Sequence, residues 1–149
     1  MAMTMSGEYE LPVPRETVWE KLNDAETLKA CIPGAEQLDK LSDTELQAVV
    51  TTKIGPVKAK FKGAVTLSDI DPPNGYKISG QGEGGVAGFA KGGATVKLAP
   101  KDGGTLLTYD VEAQIGGKLA QLGQRLINGA AKKVADDFFQ NFANAVKGA

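Results

Sequence analysis

The chain has 149 residues, 42% of them hydrophobic, and its formal net charge is −1 at pH 7. That length predicts a single domain over residues 1–149 with one hydrophobic core, and the near-neutral charge argues against nucleic acid or an anionic membrane surface as an electrostatic partner. The chain has no histidine and only one cysteine, Cys31, which excludes Ser–His and Cys–His nucleophile pairs and zinc sites built from histidine and cysteine.

The N-terminal segment predicts a strand followed by two short helices. Residues 4–12 alternate between two faces, as in a half-buried strand, and they lack the apolar run of a secretory signal. Pro14 has a fixed φ that suits the start of the first helix, and Asp24 is a suitable cap for the second. The second helix carries Leu28 and Cys31 inward. Because a lone cysteine forms no internal disulfide, we expect a cytoplasmic protein.

The middle of the chain predicts an antiparallel sheet. Side chains alternate with period two, between turns that contain proline and glycine, in five segments: residues 36–41, 45–54, 57–67, 94–98 and 105–115. In the third of these segments Lys58, Lys60 and Lys62 share one face. We interpret that face as the solvent side of a strand rather than as a functional basic patch, because outward lysines also protect sheets from edge pairing.

The last part of the chain, residues 117–146, predicts one long amphipathic helix. Its apolar residues recur at helical spacing and form one stripe: Leu119, Leu122, Leu126, Ile127, Ala130, Val134, Phe138 and Phe142. On the opposite face, Lys132–Lys133 and Asp136–Asp137 are spaced for i,i+4 ion pairs. A sheet with one apolar face and a helix with one apolar stripe bury both by packing together. We therefore predict an α+β fold in which a curved antiparallel sheet wraps around the C-terminal helix.

A glycine-rich stretch, GQGEGGVAGFAKGG, occupies residues 80–93. Gly80, Gly82 and Gly85 have the spacing of a dinucleotide-binding fingerprint, but that motif needs a helix straight after it and a βαβ unit around it, and a strand pattern follows here. Glycine also permits bends and leaves empty volume where a side chain would stand. The stretch therefore predicts either tight curvature and close packing alone, or an apolar cavity between sheet and helix.

Several segments together resemble one known family over nearly the whole chain. They are ELPVPRETVWEKLND (10–24), CIPGAE (31–36), KIGPVKAKFKG (53–63), DPPNGY (71–76), GFAKGGATV (88–96) and QIGGKLAQLGQRLINGAAKKVADDFF (114–139). In these segments the chain is similar to the CoxG family of carbon monoxide dehydrogenase subunits, which belongs to the START-like, or SRPBCC, superfamily.

The resemblance implies a helix-grip, START/Bet v 1-like fold and a lipophilic ligand held between the sheet and the C-terminal helix. It also implies an accessory role in quinone handling or membrane recruitment for a molybdenum-containing carbon monoxide dehydrogenase or a related hydroxylase. Some members of the family carry an apolar C-terminal anchor, whereas this sequence stops at VKGA (146–149). We therefore expect no stable anchoring, and at most transient contact with the inner membrane face.

Eight residues are candidates for the lining of such a cavity: Trp19, Leu28, Ile32, Phe61, Phe89, Tyr109, Leu126 and Phe138. Phe89 stands among glycines, where little else fills space, and the Tyr109 hydroxyl could contact a ligand oxygen. For each of the eight, ordinary core packing is the alternative interpretation.

Three functions remain open at this point. The chain could carry an apolar molecule, such as a quinone or lipid, for that enzyme; it could be a docking, assembly or membrane-recruitment factor without a ligand; or it could be an enzyme acting on an apolar substrate.

The acidic pairs Asp69/Asp71 and Asp136/Asp137 fall on a turn and on the solvent face of the helix, not on the inner faces. Since acid–base catalysis needs a carboxylate in an apolar pocket, we predict no catalytic residue, and we also predict no metal site and no cofactor.

Overall fold

The structure is a computed structural model, and it describes residues 1–148. Its strands are β1 (Ala2–Leu11), β2 (Ala35–Lys40), β3 (Glu45–Ile54), β4 (Val57–Asp71), β5 (Gly75–Glu83), β6 (Phe89–Lys101) and β7 (Gly104–Gly116). Its helices are α1 (Arg15–Leu22), α2 (Ala25–Cys31), α3 (Lys118–Gln121) and α4 (Gln124–Lys147), and a single 3-10 turn, Gly85–Ala87, joins β5 to β6.

The strands form one antiparallel sheet in the order β1-β7-β6-β5-β4-β3-β2. The sheet curves around α4, which confirms the predicted α+β, helix-grip architecture. The glycine-rich stretch is mostly paired strand, with Gly80 opposite Gly92 and Gly82 opposite Ala90. The alternation pattern missed these pairs because glycine has no side chain to reveal a face, although its backbone still forms the ladder.

The C-terminal helix differs from the prediction in one respect. Residues 117–146 do not form one continuous helix, because α3 ends at Gln121 and α4 begins at Gln124. Gly123, between them, has φ +91°, a backbone conformation that glycine adopts without steric cost and that breaks the helical path. The break lets α3 pack under the end of β7, while α4 runs along the sheet as a separate element.

Two apolar clusters fill the space between the layers. The larger cluster includes the fully buried residues Val18, Leu107 and Phe142, where α1 and α4 meet the sheet. The smaller one is centred on Ile115 and Ile127, near the start of α4.

Polar side chains fix α4 to the elements around it. The Asn141 amide donates to the Cys31 carbonyl of α2 at 3.0 Å. The Asp136 carboxylate accepts from the Tyr9 hydroxyl of β1 at 2.5 Å. These bonds hold the helix at two points along its length, one over α2 and one over the edge strand of the sheet.

Candidate functional site

A cavity of about 660 Å³ lies between the concave face of the sheet and α4. Members of both apolar clusters line it, so the sheet and the helix enclose a space that they do not fill. The inward side chains of β3 to β7 form one wall, and α2, β2 and the middle of α4 form the other. The α4 side of the wall is largely small or aromatic: Ile127, Ala130, Ala131, Val134, Ala135, Phe138 and Phe139.

The glycines of residues 80–93 do not line this space. The Phe61 ring lies over Gly84, since a Cβ built on that glycine would be 2.5 Å from the ring. Close to the middle of the wall, Ala94 on β6 stands between Ile78 on β5 and Val111 on β7 in the same row. Ala94 therefore shares the cavity wall with Ala130, Ala131 and Ala135 of α4, whose side chains fill little volume. A Cβ built on Gly88 or Gly92 would be 1.9 or 2.1 Å from a backbone oxygen of the neighbouring strand, so the close-packing alternative is the one that matches the geometry of the glycine-rich stretch.

Five of the eight residues selected from the sequence come together in this lining: Leu28, Ile32, Phe61, Tyr109 and Phe138. They are supplied by α2 and the residue that follows it, by β4 and β7, and by α4. Most of them are half-buried rather than fully buried, because one side of each borders open space.

The other three, Trp19, Phe89 and Leu126, lie outside the lining. The Trp19 ring packs at 60° against the Tyr76 ring, with their centroids 5.3 Å apart, so Tyr76 and not Trp19 borders the cavity. The Phe89 ring covers Gly116 on the neighbouring strand and is 43% exposed. Leu126 is 41% exposed beside Gly55, because the turn of the helix points it along the rim of the sheet and not beneath it.

The sequence patterns did not single out Tyr76 or most of the aliphatic lining. Tyr76 and Ile78 alternate directly after the turn DPPNGY, which is a usable signal, but the glycines that follow interrupt the pattern. Val65, Val96 and Val111 belong to strands that were predicted, yet nothing in a strand pattern separates a residue facing a cavity from one facing solid core.

Few polar groups reach the cavity wall. Tyr76 and Tyr109 are 6% and 7% exposed, and burial raises the pKa of Tyr76 to about 12. Asn23 donates to the Trp19 carbonyl at 2.9 Å, and Lys40 is an exposed residue on the rim. Within residues 1–148 the lining contains no carboxylate, so the wall offers hydrogen-bond donors but no acidic group for proton transfer.

The Tyr109 hydroxyl faces β1 and not the middle of the cavity. A Cβ on Gly7, its partner in the ladder, would be 2.8 Å from that hydroxyl. Nearby, the Tyr9 hydroxyl donates to Asp136, and burial followed by that hydrogen bond raises the pKa of Tyr9. The Tyr9–Asp136 hydrogen bond joins β1 to α4. The Phe139 ring of α4 stacks on the Tyr9 ring with centroids 4.3 Å apart.

Other kinds of site find no support in the described part of the chain. No group of three or more histidine, cysteine or acidic residues is arranged to hold a metal ion, and no helix is both long and apolar enough to cross a bilayer. Cys31 is buried, and that burial raises the pKa of its thiol, so it packs as a small apolar side chain.

Comparison with known proteins gives one family match and a set of structural relatives. The sequence model of the family described as the CoxG subunit of carbon monoxide dehydrogenase matches residues 7–147. A conserved protein from Geobacillus kaustophilus is 36% identical, with a TM-score of 0.91 over 97% of this chain and 95% of that one. No curated protein sequence matches the chain.

More distant structures share the fold. A START superfamily protein from Mycobacterium smegmatis has a TM-score of 0.74 at 14% identity, with 97% of each chain covered. The ZhuI aromatase/cyclase from Streptomyces sp. R1128 has a TM-score of 0.73 at 10% identity, with 99% of this chain and 94% of that one covered. At these identities the likeness extends to the architecture alone, and a shared architecture does not imply a shared function.

Proposed function

The chain belongs to the CoxG family of carbon monoxide dehydrogenase subunits, and from that premise we propose that it is a non-catalytic accessory protein that binds a hydrophobic small molecule. The ligand occupies the cavity between the sheet and α4, where it contacts five side chains of the lining: Leu28, Ile32, Phe61, Tyr109 and Phe138. The observation that carries the proposal is the cavity itself, enclosed by apolar side chains of both layers.

Size and chemistry both support this use of the cavity. Its volume of about 660 Å³ suits a drug-sized molecule, since ligand pockets are typically about 300–1,000 Å³. Transfer of apolar surface out of water contributes about 25 cal/mol per Å², and few polar contacts are needed. A quinone or a lipid fits this description, and a molybdenum-containing carbon monoxide dehydrogenase or related hydroxylase is the partner enzyme that the family membership suggests.

The composition of the wall favours a carrier over an enzyme. Acid–base catalysis needs a group within hydrogen-bond reach of the reacting atom and with a matched pKa. Within the described residues no carboxylate lines the cavity, and the whole sequence lacks histidine. Burial raises the pKa of the Tyr76 phenol to about 12, so it is a poor proton donor to a reacting group at neutral pH.

Transient contact with a membrane is a second part of the proposal. Val86 is 82% exposed at the β5–β6 turn, and Leu126 and Val134 are 41% and 43% exposed on α4. Val134 also belongs to the cavity lining, so exposed apolar surface continues into the cavity. Apolar side chains at a cavity rim suit collection of an apolar ligand from a bilayer.

Extraction of the purified protein with organic solvent, followed by mass spectrometry, tests the binding proposal. We expect an apolar molecule in the wild-type extract and several-fold less of it in Ala94→Trp, because Ala94 lies on the cavity wall. Ala64→Trp adds the same side chain at an exposed position of β4, and it should retain the wild-type amount. A wild-type extract without an apolar molecule, from a protein that also takes up neither quinones nor lipids when incubated with them, would contradict the proposal.

A further inference from the structure

Tyr76 is the most buried polar side chain on the cavity wall. It is the second residue of β5, points to the inner face of the sheet, and is 6% exposed. It shares the larger apolar cluster and the cavity wall with Leu22, Leu67 and Leu107, which are 5%, 8% and 0% exposed. The Tyr76 side chain therefore stands in a largely apolar part of the molecule.

The Tyr76 hydroxyl makes no hydrogen bond within residues 1–148. It is not fully enclosed, because Thr51 Oγ1 is the one fully enclosed side-chain polar atom in that range that lacks a partner, so the hydroxyl opens onto the cavity. Trp19 packs on the ring with its face tilted by 60°, and this contact engages the ring rather than the hydroxyl. Buried tyrosine hydroxyls usually find a partner, since an unpaired donor loses its bonds to water without replacement. Because Tyr76 borders the cavity, a molecule inside the cavity is the available source of that partner.

The other polar groups on the wall are in different situations. The Asn23 amide already donates to the Trp19 carbonyl, and the Tyr109 hydroxyl lies against β1. Thr52 is half-buried and Lys40 is exposed, so water can reach them. Tyr76 differs from all four because it combines deep burial, an unpaired donor and a place on the wall.

We propose that Tyr76 determines ligand specificity by donating a hydrogen bond to a neutral carbonyl oxygen at one end of an otherwise apolar ligand. The inference rests on the proposed function and narrows its ligand class. A carboxylate or phosphate at this position would be a buried charge without a buried cation, because the one cationic side chain of the wall within residues 1–148 is Lys40, which is exposed on the rim. Burial raises the pKa of Tyr76 to about 12, so the phenol is a protonated donor throughout the neutral range.

Equilibrium dialysis of solvent-extracted protein with two matched molecules tests this assignment. The first is 2-methyl-1,4-naphthoquinone, and the second is 2-methylnaphthalene, which has the same ring system without carbonyl groups. Tyr76→Phe should weaken binding of the quinone about tenfold, as expected for one lost hydrogen bond, and should leave binding of the hydrocarbon unchanged. Tyr9→Phe removes a phenol hydroxyl that bonds to Asp136 and lies outside the wall, and it should change neither affinity.

Equal affinities of Tyr76→Phe and wild type for the quinone would overturn the inference, as would an equal loss for both molecules. Wild-type protein that binds neither molecule would instead remove the proposed function, and the inference with it. The carbonyl stretch of the bound quinone gives a measurement that needs only wild-type protein. A hydrogen bond lowers its frequency relative to the quinone in hydrocarbon solvent, and an unshifted band would also overturn the assignment.

Discussion

At the residue scale, Asp136 shows how one side chain connects distant parts of the chain. Its carboxylate accepts from Lys132 at 2.8 Å and from Tyr9 of β1 at 2.5 Å. The Lys132–Asp136 and Lys133–Asp137 ion pairs confirm the i,i+4 spacing predicted from the sequence. The bond to Tyr9 was not predicted, because it joins residues 127 positions apart.

The Asp136 carboxylate should make stability depend on pH in acid solution. The hydrogen bonds from Lys132 and then Tyr9 lower the pKa of Asp136 below its ordinary value. The folded state is therefore stabilised above the unfolded-state pKa of about 3.9, and this contribution is lost as the pH falls through the folded-state value. Thermal unfolding from pH 7 to pH 3 should show a smaller decrease in midpoint for Asp136→Asn than for wild type.

Asp137→Asn is the matched control, because Asp137 bonds to Lys133 and to no tyrosine in the described residues. Its pH dependence should follow wild type more closely than that of Asp136→Asn does. Identical curves for Asp136→Asn and wild type would contradict a role for the Tyr9 contact in acid stability.

At the element scale, α4 both completes the core and bounds the cavity. Phe142 is 0% exposed in the larger apolar cluster, whereas Phe138, one turn earlier, borders the cavity and is half-buried. The two rings stack with centroids 5.8 Å apart. One helix face thus changes from solid packing to cavity wall within a single turn.

Truncation of the two rings should separate these roles. Phe142→Ala should destabilise the protein by about 3–5 kcal/mol, because it opens a new void in packed surroundings. Phe138→Ala should cost clearly less, since much of its surface faces space that is already empty. Urea denaturation measures both free energies of unfolding, and equal losses would indicate that the region around Phe138 is filled in solution.

At the scale of the whole molecule, basic and acidic residues are unevenly distributed along the chain, although the net charge is near zero. Residues 46–68 and 113–135 contain lysine and arginine but no acidic residue. The fold brings parts of these segments together, because Leu126 packs beside Gly55 in the β3–β4 turn. Lys53 and Lys58 face each other across that turn, so exposed apolar and basic groups share one end of the molecule.

This arrangement predicts weak, salt-sensitive binding to anionic vesicles. In sedimentation assays with equal parts of phosphatidylglycerol and phosphatidylcholine, Lys53→Glu/Lys58→Glu should weaken binding about tenfold or more, since each basic residue near such a surface contributes roughly 1 kcal/mol. Lys77→Glu/Lys97→Glu makes the same charge change elsewhere on β5 and β6 and should have little effect. Equal binding of both variants and wild type would argue against contact through the β3–β4 end.

The order of elements, the antiparallel sheet, the closing helix and the family could all be determined from the sequence. Period-two and helical spacing indicate which face of each element is buried, and that information is local. This spacing is the signal by which Leu28, Ile32, Phe61, Tyr109 and Phe138 were selected, and all five lie on the cavity wall. The same spacing is found in residues that face a solid core.

The exact wall of the cavity was decided by the tertiary structure. Whether Trp19 or Tyr76 borders the space depends on how two rings from α1 and β5 pack, and whether Leu126 is inside depends on the break at Gly123 that sets the start of α4. An empty volume is a property of the distance between layers, and that distance follows from all the side chains that hold the helix above the sheet. No single segment of the sequence determines that distance.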